Sequence, residues 1–260
     1  MKWKNGVYGL LTCFLLLCIG SAQAASPQNT VHIAVAANFA QPLKALAAEF
    51  QNKTNIKPVI TVGSSGALYA QIIHGAPFDV FLSADTVRPE ALVKNGKADG
   101  QNLKPYARGK LAFVYRGAPI SSVAHFLEQN EKAVVALANP RLAPYGSAAQ
   151  SVIIQLEPDS NRRFVKGQNV LQAMQYFQTE HVDAAFVSLS LAMQSEVNYV
   201  IPPAHWYAPI VQSMVIVKRA EHPYAARRFM QYLLSKDVQS RLKNWGYGAA
   251  KKQQGGSFGR

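Results

Sequence analysis

The sequence predicts an α/β protein, and three observations carry that expectation. From Val31 onward, short apolar runs of strand length alternate with longer stretches whose apolar residues recur at helical spacing. Gly, Pro, Ser and Asn stand at the junctions between them. The composition, 49% hydrophobic and 16% charged over 260 residues, is that of a globular chain able to bury one large core or two ordinary ones. Successive β-α units of this kind predict a parallel sheet with right-handed crossovers.

The first stretch, "MKWKNGVYGLLTCFLLLCIGSAQA", stands apart from that pattern. Lys2 and Lys4, an apolar run through Ile19 and the small-residue site Ala22-Gln23-Ala24 describe a secretory signal peptide over residues 1–24. The run is short for a bilayer span. Both cysteines, Cys13 and Cys18, lie inside it, so the mature chain is expected to carry no thiol or disulfide. Cys18 follows three leucines, without the small residues expected before a lipidated cysteine. A soluble protein of the bacterial periplasm is the expectation.

The elements follow in order. "VHIAVAA" reads as a buried strand, and the next stretch sets Leu43, Leu46, Ala47 and Phe50 on one helical face. "KPVITV" is a second strand, and a Gly-Ser-Ser-Gly corner leads into a helix with Leu68, Ile72 and Ile73, closed by Gly75. "DVFLSA" and a helix over "VRPEALVKNG" complete a third unit. "KLAFVYRG" then opens a second series: a helix near "VAHFLEQ", the strand "AVVALAN", helices from about Gly146 to Leu156 and Val170 to Thr179, and the strand "DAAFVSLS". "IVQSMVIVKR" reads as a strand and "AARRFMQYLLSKDVQSRLKNWG" as one long helix burying Phe229, Leu233, Val238 and Leu242. No repeat of fixed period is present. The strand count suits two α/β lobes, although periodicity alone leaves one larger sheet open.

Three strand ends run into helix starts through small or polar residues: Ala37-Asn38, Ser64-Ser65 and Pro144-Tyr145-Gly146. The first N–H groups of a helix lack partners within it and, with the helix dipole, favour an anion. Ligands of open α/β sheets bind at such carboxyl ends of strands. The plain alternative is that Asn38 and Ser65 only cap their own helices. Gly63-Ser64-Ser65-Gly66 lacks the Gly-Lys-Ser/Thr of a nucleotide P-loop. The run Gly63 to Ala67 approaches a nucleophile elbow, with Ala67 in place of the last glycine; a hydrolase would then take Ser65 with His205 or His222 and Asp183. The six histidines (32, 74, 125, 181, 205 and 222) show no i, i+4 pair or ligand cluster, which speaks against a transition-metal site. Asp79 and Asp85 flank "VFLSA" in structural positions, Asp85 as a cap of the next helix.

The formal charge is +13, and removing Lys2 and Lys4 leaves +11 for the mature chain, which favours anionic partners. Export argues against nucleic acid. Neither "RRFVK" (162–166) nor the tail "KKQQGGSFGR" interleaves aromatics as a strand-binding groove would, so both read as solvated basic stretches.

"VHIAVAANFAQPLKALAAEF" broadly, "VGSSGALYAQIIHGAPFDVFLSAD" closely, "NPRLAPYG" and "FMQYLLSKDVQSRLKNWGYG" together resemble the periplasmic molybdate-binding proteins of ABC transporters, the ModA type. The resemblance runs from about Val31 to Gly248 and is most specific from Val62 to Asp85. It implies a two-lobed type II periplasmic binding architecture: two Rossmann-like lobes, residues 25–110 plus 210–248 and residues 111–209, joined by two crossovers with the ligand cleft between them. A flexible basic tail, 249–260, would follow. It further implies a dehydrated oxyanion held by neutral donors: Asn38, the hydroxyl and N–H of Ser65, and the backbone N–H groups of Tyr145 and Val170. Ala37, Ser64 and Ser188 are weaker candidates, and Ser188 stands where some members place a longer tyrosine. Molybdate is a full dianion at neutral pH, so its oxygens want donors and a carboxylate would repel it; none of the matched positions is acidic. Molybdenum would be held only as the oxyanion, without protein ligands to the metal. The resemblance implies a monomeric carrier of molybdate and tungstate, with no catalytic residues or cofactor, that serves a membrane ABC permease and its ATPase. The alternatives are the same fold for sulfate, chromate or phosphate, and the hydrolase built on Ser65.

Overall fold

The computed structural model describes residues 29–156 and 162–250. The expected signal peptide, and the expected tail beyond residue 250, lie outside the described residues.

Two five-stranded sheets form the molecule. The first contains β1 (Thr30–Ala36), β2 (Lys57–Gly63), β3 (Val80–Leu82) and β4 (Lys104–Gly109), and receives the returning strand β10 (Ile210–Ile216). The second contains β5 (Leu111–Tyr115), β6 (Val135–Ala138), β7 (Phe164–Gly167), β8 (Ala184–Ser188) and β9 (Tyr199–Val200). Strand orders are β2-β1-β3-β10-β4 and β7-β6-β8-β5-β9. The chain passes from the first lobe to the second between Gly109 and Leu111 and returns between Val200 and Ile210.

The sheets are mixed, which corrects the expectation of a parallel sheet. β1 runs parallel to β2 and β3, and β6 parallel to β7 and β8, each pair joined through a helix. β10 is antiparallel to β3 and β4, and β5 antiparallel to β8 and β9. Both reversed strands enter directly from the other lobe, so no crossover helix turns the chain back to the parallel direction.

β1 shows why its lobe has helices on both faces. Val31, Ile33 and Val35 pack with α1 (Ala40–Thr54) and α8 (Pro223–Leu233), whereas Ala34 faces α2 (Ser65–Ile73) and α3 (Val87–Lys94). Burial on both sides produces the unbroken apolar run of a central strand. β2 is an edge strand, and its Val59 and Val62 stay exposed. In the second lobe, α4 (Val123–Gln129), α5 (Pro144–Leu156), α6 (Val170–Gln178) and the short α7 (Leu189–Met193) surround one core. Ala36, Ala37 and Ala84 at the strand ends of the first lobe belong to that same apolar cluster, so the lobes are packed together.

The long terminal helix expected from periodicity is broken. α8 ends at Leu233, and Ser235 caps a separate α9 (Lys236–Arg241) by accepting from the Val238 N–H at 3.4 Å. Periodicity continues across the break because Leu233 and Val238 are both buried, but the cap hydroxyl ends one helix and begins another.

Candidate functional site

Each candidate donor sits where a strand ends and a helix begins. At α2 the cap is Ser64, whose Oγ accepts from the Ala67 N–H at 3.3 Å. The capping alternative for Ser65 is therefore corrected by one position. Ser65 opens the helix, is buried, and its Oγ accepts from the Ala84 N–H at 3.0 Å, so its hydroxyl proton remains to be donated. At α5, Pro144 occupies the first position and has no N–H, while the Gly146 and Ser147 N–H groups turn back to the Ala143 carbonyl. At α6, Asn169 caps by accepting from the Gln172 N–H at 3.0 Å, and Gln172 reaches back to the Gln168 N–H. Among the described residues, the N–H groups of Ser65, Tyr145 and Val170 have no hydrogen-bond acceptor. All three residues are at most 3% exposed. First-turn N–H groups lack partners within their helix, so these three are free to donate to a further acceptor.

Contacts between the lobes join the starts of α2 and α5. The Gly66 N–H donates to the Leu142 carbonyl across the boundary at 2.8 Å, which sets the α2 start against the turn that opens α5. Arg88 Nη2 donates to the Arg141 carbonyl at 3.0 Å beside it. The single turn Ala37–Phe39 packs on α6, and Ala37, Ala84, Tyr145 and Val170 share one apolar cluster. A groove of about 810 Å³ runs along the boundary; Gly66, Ala84, Arg88, Arg141 and Pro144 are among its walls, and Ser65, Tyr145 and Val170 are not.

Asn38 does not take the capping place that the plain alternative gave it. It caps no helix, since Phe39 stands at the cap of α1 without a side-chain bond. Its Nδ2 donates to Gln212 Oε1 at 2.9 Å and to Tyr247 Oη at 3.1 Å, which uses both amide hydrogens. Tyr247 Oη returns a bond to the Asn38 carbonyl at 2.7 Å. Gln212 Oε1 also accepts from Tyr106 Oη at 2.9 Å, and Gln212 Nε2 donates to Tyr145 Oη at 3.3 Å. Burial pushes the phenols of Tyr106, Tyr145 and Tyr247 above the ordinary tyrosine range, so they stay neutral. Ser188 is fully buried as the cap of α7, accepting from the Leu191 N–H at 3.3 Å. Ala37, buried in the turn that follows β1, can offer only a backbone N–H.

Gln212, Tyr106 and Tyr247 were not singled out from the sequence. Each lies in a strand or terminal segment that reads as core, and no local pattern marks it. Asp79 is the one charged residue among the buried polar side chains described. It accepts from the His32 and His222 backbone N–H groups and pairs with His222 Nδ1 at 3.0 Å, at the opposite end of β1 and β3 from the orphan N–H groups. The carboxylate of Asp183 accepts from the Val134 N–H at 2.7 Å. Of the partners named for the hydrolase alternative, His222 and Asp183 are thus engaged away from Ser65, while His205 lies in the turn Ala204–Trp206 with its ring against Trp206. Asp85 pairs with Arg88 and accepts the Arg88 N–H at 3.1 Å, the capping role expected of it, although Thr86 holds the formal cap position.

Comparison with known proteins agrees with this architecture. Residues 31–248 match the family model described as bacterial extracellular solute-binding protein. The molybdate-binding protein ModA of Azotobacter vinelandii is 35% identical over 251 residues, spanning 92% of this chain and 94% of that protein. ModA of Rhodobacter capsulatus is 32% identical, spanning 90% and 93%. The solved structure of the Azotobacter vinelandii periplasmic molybdate-binding protein superposes with a TM-score of 0.76 at 32% identity, covering 84% of this chain and 98% of that one. With the two mixed sheets, the two crossovers and the family match over nearly all the described residues, the chain belongs to the bacterial extracellular solute-binding proteins.

Proposed function

We propose that this protein captures molybdate, and tungstate with it, between its lobes and delivers it to a membrane ABC permease driven by its ATPase. The observation that carries the reading is the set of orphan N–H groups on Ser65, Tyr145 and Val170, buried and contributed by both lobes. In this reading the three helix N-termini face one anion and supply positive potential without a formal charge. The Ser65 hydroxyl adds a fourth donor. Asn38 joins through its backbone N–H, because its amide is already committed to Gln212 and Tyr247.

The donors are all neutral; Asp79, the buried carboxylate described, is turned to histidine at the far end of the sheet, and Asp85, next to Ala84, is paired with Arg88. A dianion with no proton to share suits such a site, whereas protonated phosphate leaves its own O–H without an acceptor. The kinship with two ModA proteins at 32 to 35% identity supports molybdate as the ligand. We place the mature chain in the periplasm as a monomer that acts as a carrier.

Calorimetric titration of the anion-free protein with molybdate, tungstate, sulfate and phosphate tests the reading. Tight binding of the first two and weak binding of the others is expected. Phosphate or sulfate binding as tightly as molybdate would overturn it.

A further inference from the structure

Tyr145 faces two ways. Its backbone N–H is one of the three orphans, while its phenol reaches out of the second lobe to both strands that carry the crossovers. Gln212 on β10 donates to the phenol oxygen at 3.3 Å. Gly109, the last residue of β4 before the crossover, lies so close that a Cβ there would stand 2.1 Å from the phenol oxygen. Gly109 pairs with Ile210, the first residue of β10, so the phenol is seated on the two hinge strands side by side. The β10–β4 register shifts between Gln212 and Ser213, an irregularity of the kind that re-aims a side chain. Gln212 is held in orientation by its carbonyl oxygen, which accepts from Asn38 and Tyr106.

From this geometry we propose that Tyr145 is a positioning residue that couples anion capture to the hinge angle: the phenol docks on Gly109 and Gln212 only when the lobes close. The proposal rests on the reading that the Tyr145 N–H meets the anion. Rotation about the two crossovers withdraws the phenol from β4 and β10 and lets water reach Gln212. Closure restores the bond and brings the N–H to the ligand in the same movement. An interaction present in one state alone shifts the equilibrium toward that state, so phenol and anion reinforce each other through one residue.

Tyr145→Phe tests this, since it keeps the ring and the backbone N–H and removes only the hydroxyl. The expected result is a Kd for molybdate raised about three- to tenfold, carried by faster dissociation, with the melting temperature of the anion-free protein unchanged. Small-angle scattering of the molybdate-saturated variant should show a smaller contraction than wild type. Gly109→Ala, which forces the phenol aside, should bind still more weakly and contract still less. A Tyr145→Phe protein with the wild-type Kd, dissociation rate and contraction would overturn the proposal. So would a loss of affinity matched by a lower anion-free melting temperature with dissociation unchanged, since the phenol would then serve only the fold. Failure of the wild-type protein to bind molybdate would instead refute the proposed ligand, and the same comparison would be run with whichever of the four anions binds.

Discussion

Replacing Ser65 by alanine separates binding from folding at the corner that opens α2. The hydroxyl has two parts in the structure: its oxygen accepts from the buried Ala84 N–H at 3.0 Å, and its proton is left for the ligand. Losing a donor to a charged partner costs about 1.5–3 kcal/mol, a rise in Kd of about 10- to 150-fold. Stranding the Ala84 N–H costs a further 1–3 kcal/mol of stability, roughly. At about 2–4 °C per kcal/mol for a protein of this size, the anion-free melting temperature should fall by several degrees. The neighbouring Ser64→Ala removes only the cap, which is worth about 1 kcal/mol, and should lower the melting temperature with little change in Kd. Calorimetric titration with molybdate and thermal unfolding of the anion-free protein measure the two quantities separately. An unchanged Kd in Ser65→Ala, or an equal loss of affinity in Ser64→Ala, would refute the assignment of the donor.

Three other perturbations test separate links of the argument. Gly66→Ala places a Cβ about 3.0 Å from the Leu142 backbone of the opposite lobe, while alanine favours the helix by about 1 kcal/mol; the anion-free melting temperature should hold or rise while the Kd for molybdate increases. The hydrogen bond from Lys53, reinforced by Arg241, holds Glu49 down at about 2 against the opposing effect of its partial burial. That pair stabilises the fold above the ordinary glutamate value of 4.5 and loses its effect as pH falls from there toward 2, so Glu49→Gln should lower stability at neutral pH by about 1 kcal/mol or less, with the difference closing below pH 4.5. The surplus of basic residues, with Arg88 and Arg141 at the groove along the lobe boundary, should speed anion capture, so stopped-flow association rates should fall as salt rises; a rate indifferent to ionic strength would remove the steering.

The elements and the corner were legible because their signals are local. Alternating apolar runs mark β1, β6 and β8, and Ser-Ser after a strand marks a helix start whichever serine caps it. Which serine caps was not legible, since the choice depends on how the chain turns into α2 and on the Ala84 N–H, which lies 19 positions further on. Asn38 shows the same limit more sharply. Its position after β1 suggested a donor, yet its amide is consumed by Gln212 and Tyr247, which lie 174 and 209 positions away. Ser188 caps a five-residue helix that the apolar pattern concealed.

Sequence by itself determined the class of elements, their order and the positions where helix starts leave N–H groups without partners, because helix geometry and residue type settle these within a few positions of chain. The resemblance added the family and its ligand class. Tertiary structure alone decided the reversal of β5 and β10, the placing of the α2 start against the turn before α5, and the commitment of the Asn38 side-chain amide to Gln212 and Tyr247. The reason is that each of these depends on how two lobes close across a pair of crossovers. Partners such as Gly66 with Leu142, or Tyr145 with Gln212, are separated by more than 60 residues of chain and meet only when the lobes pack.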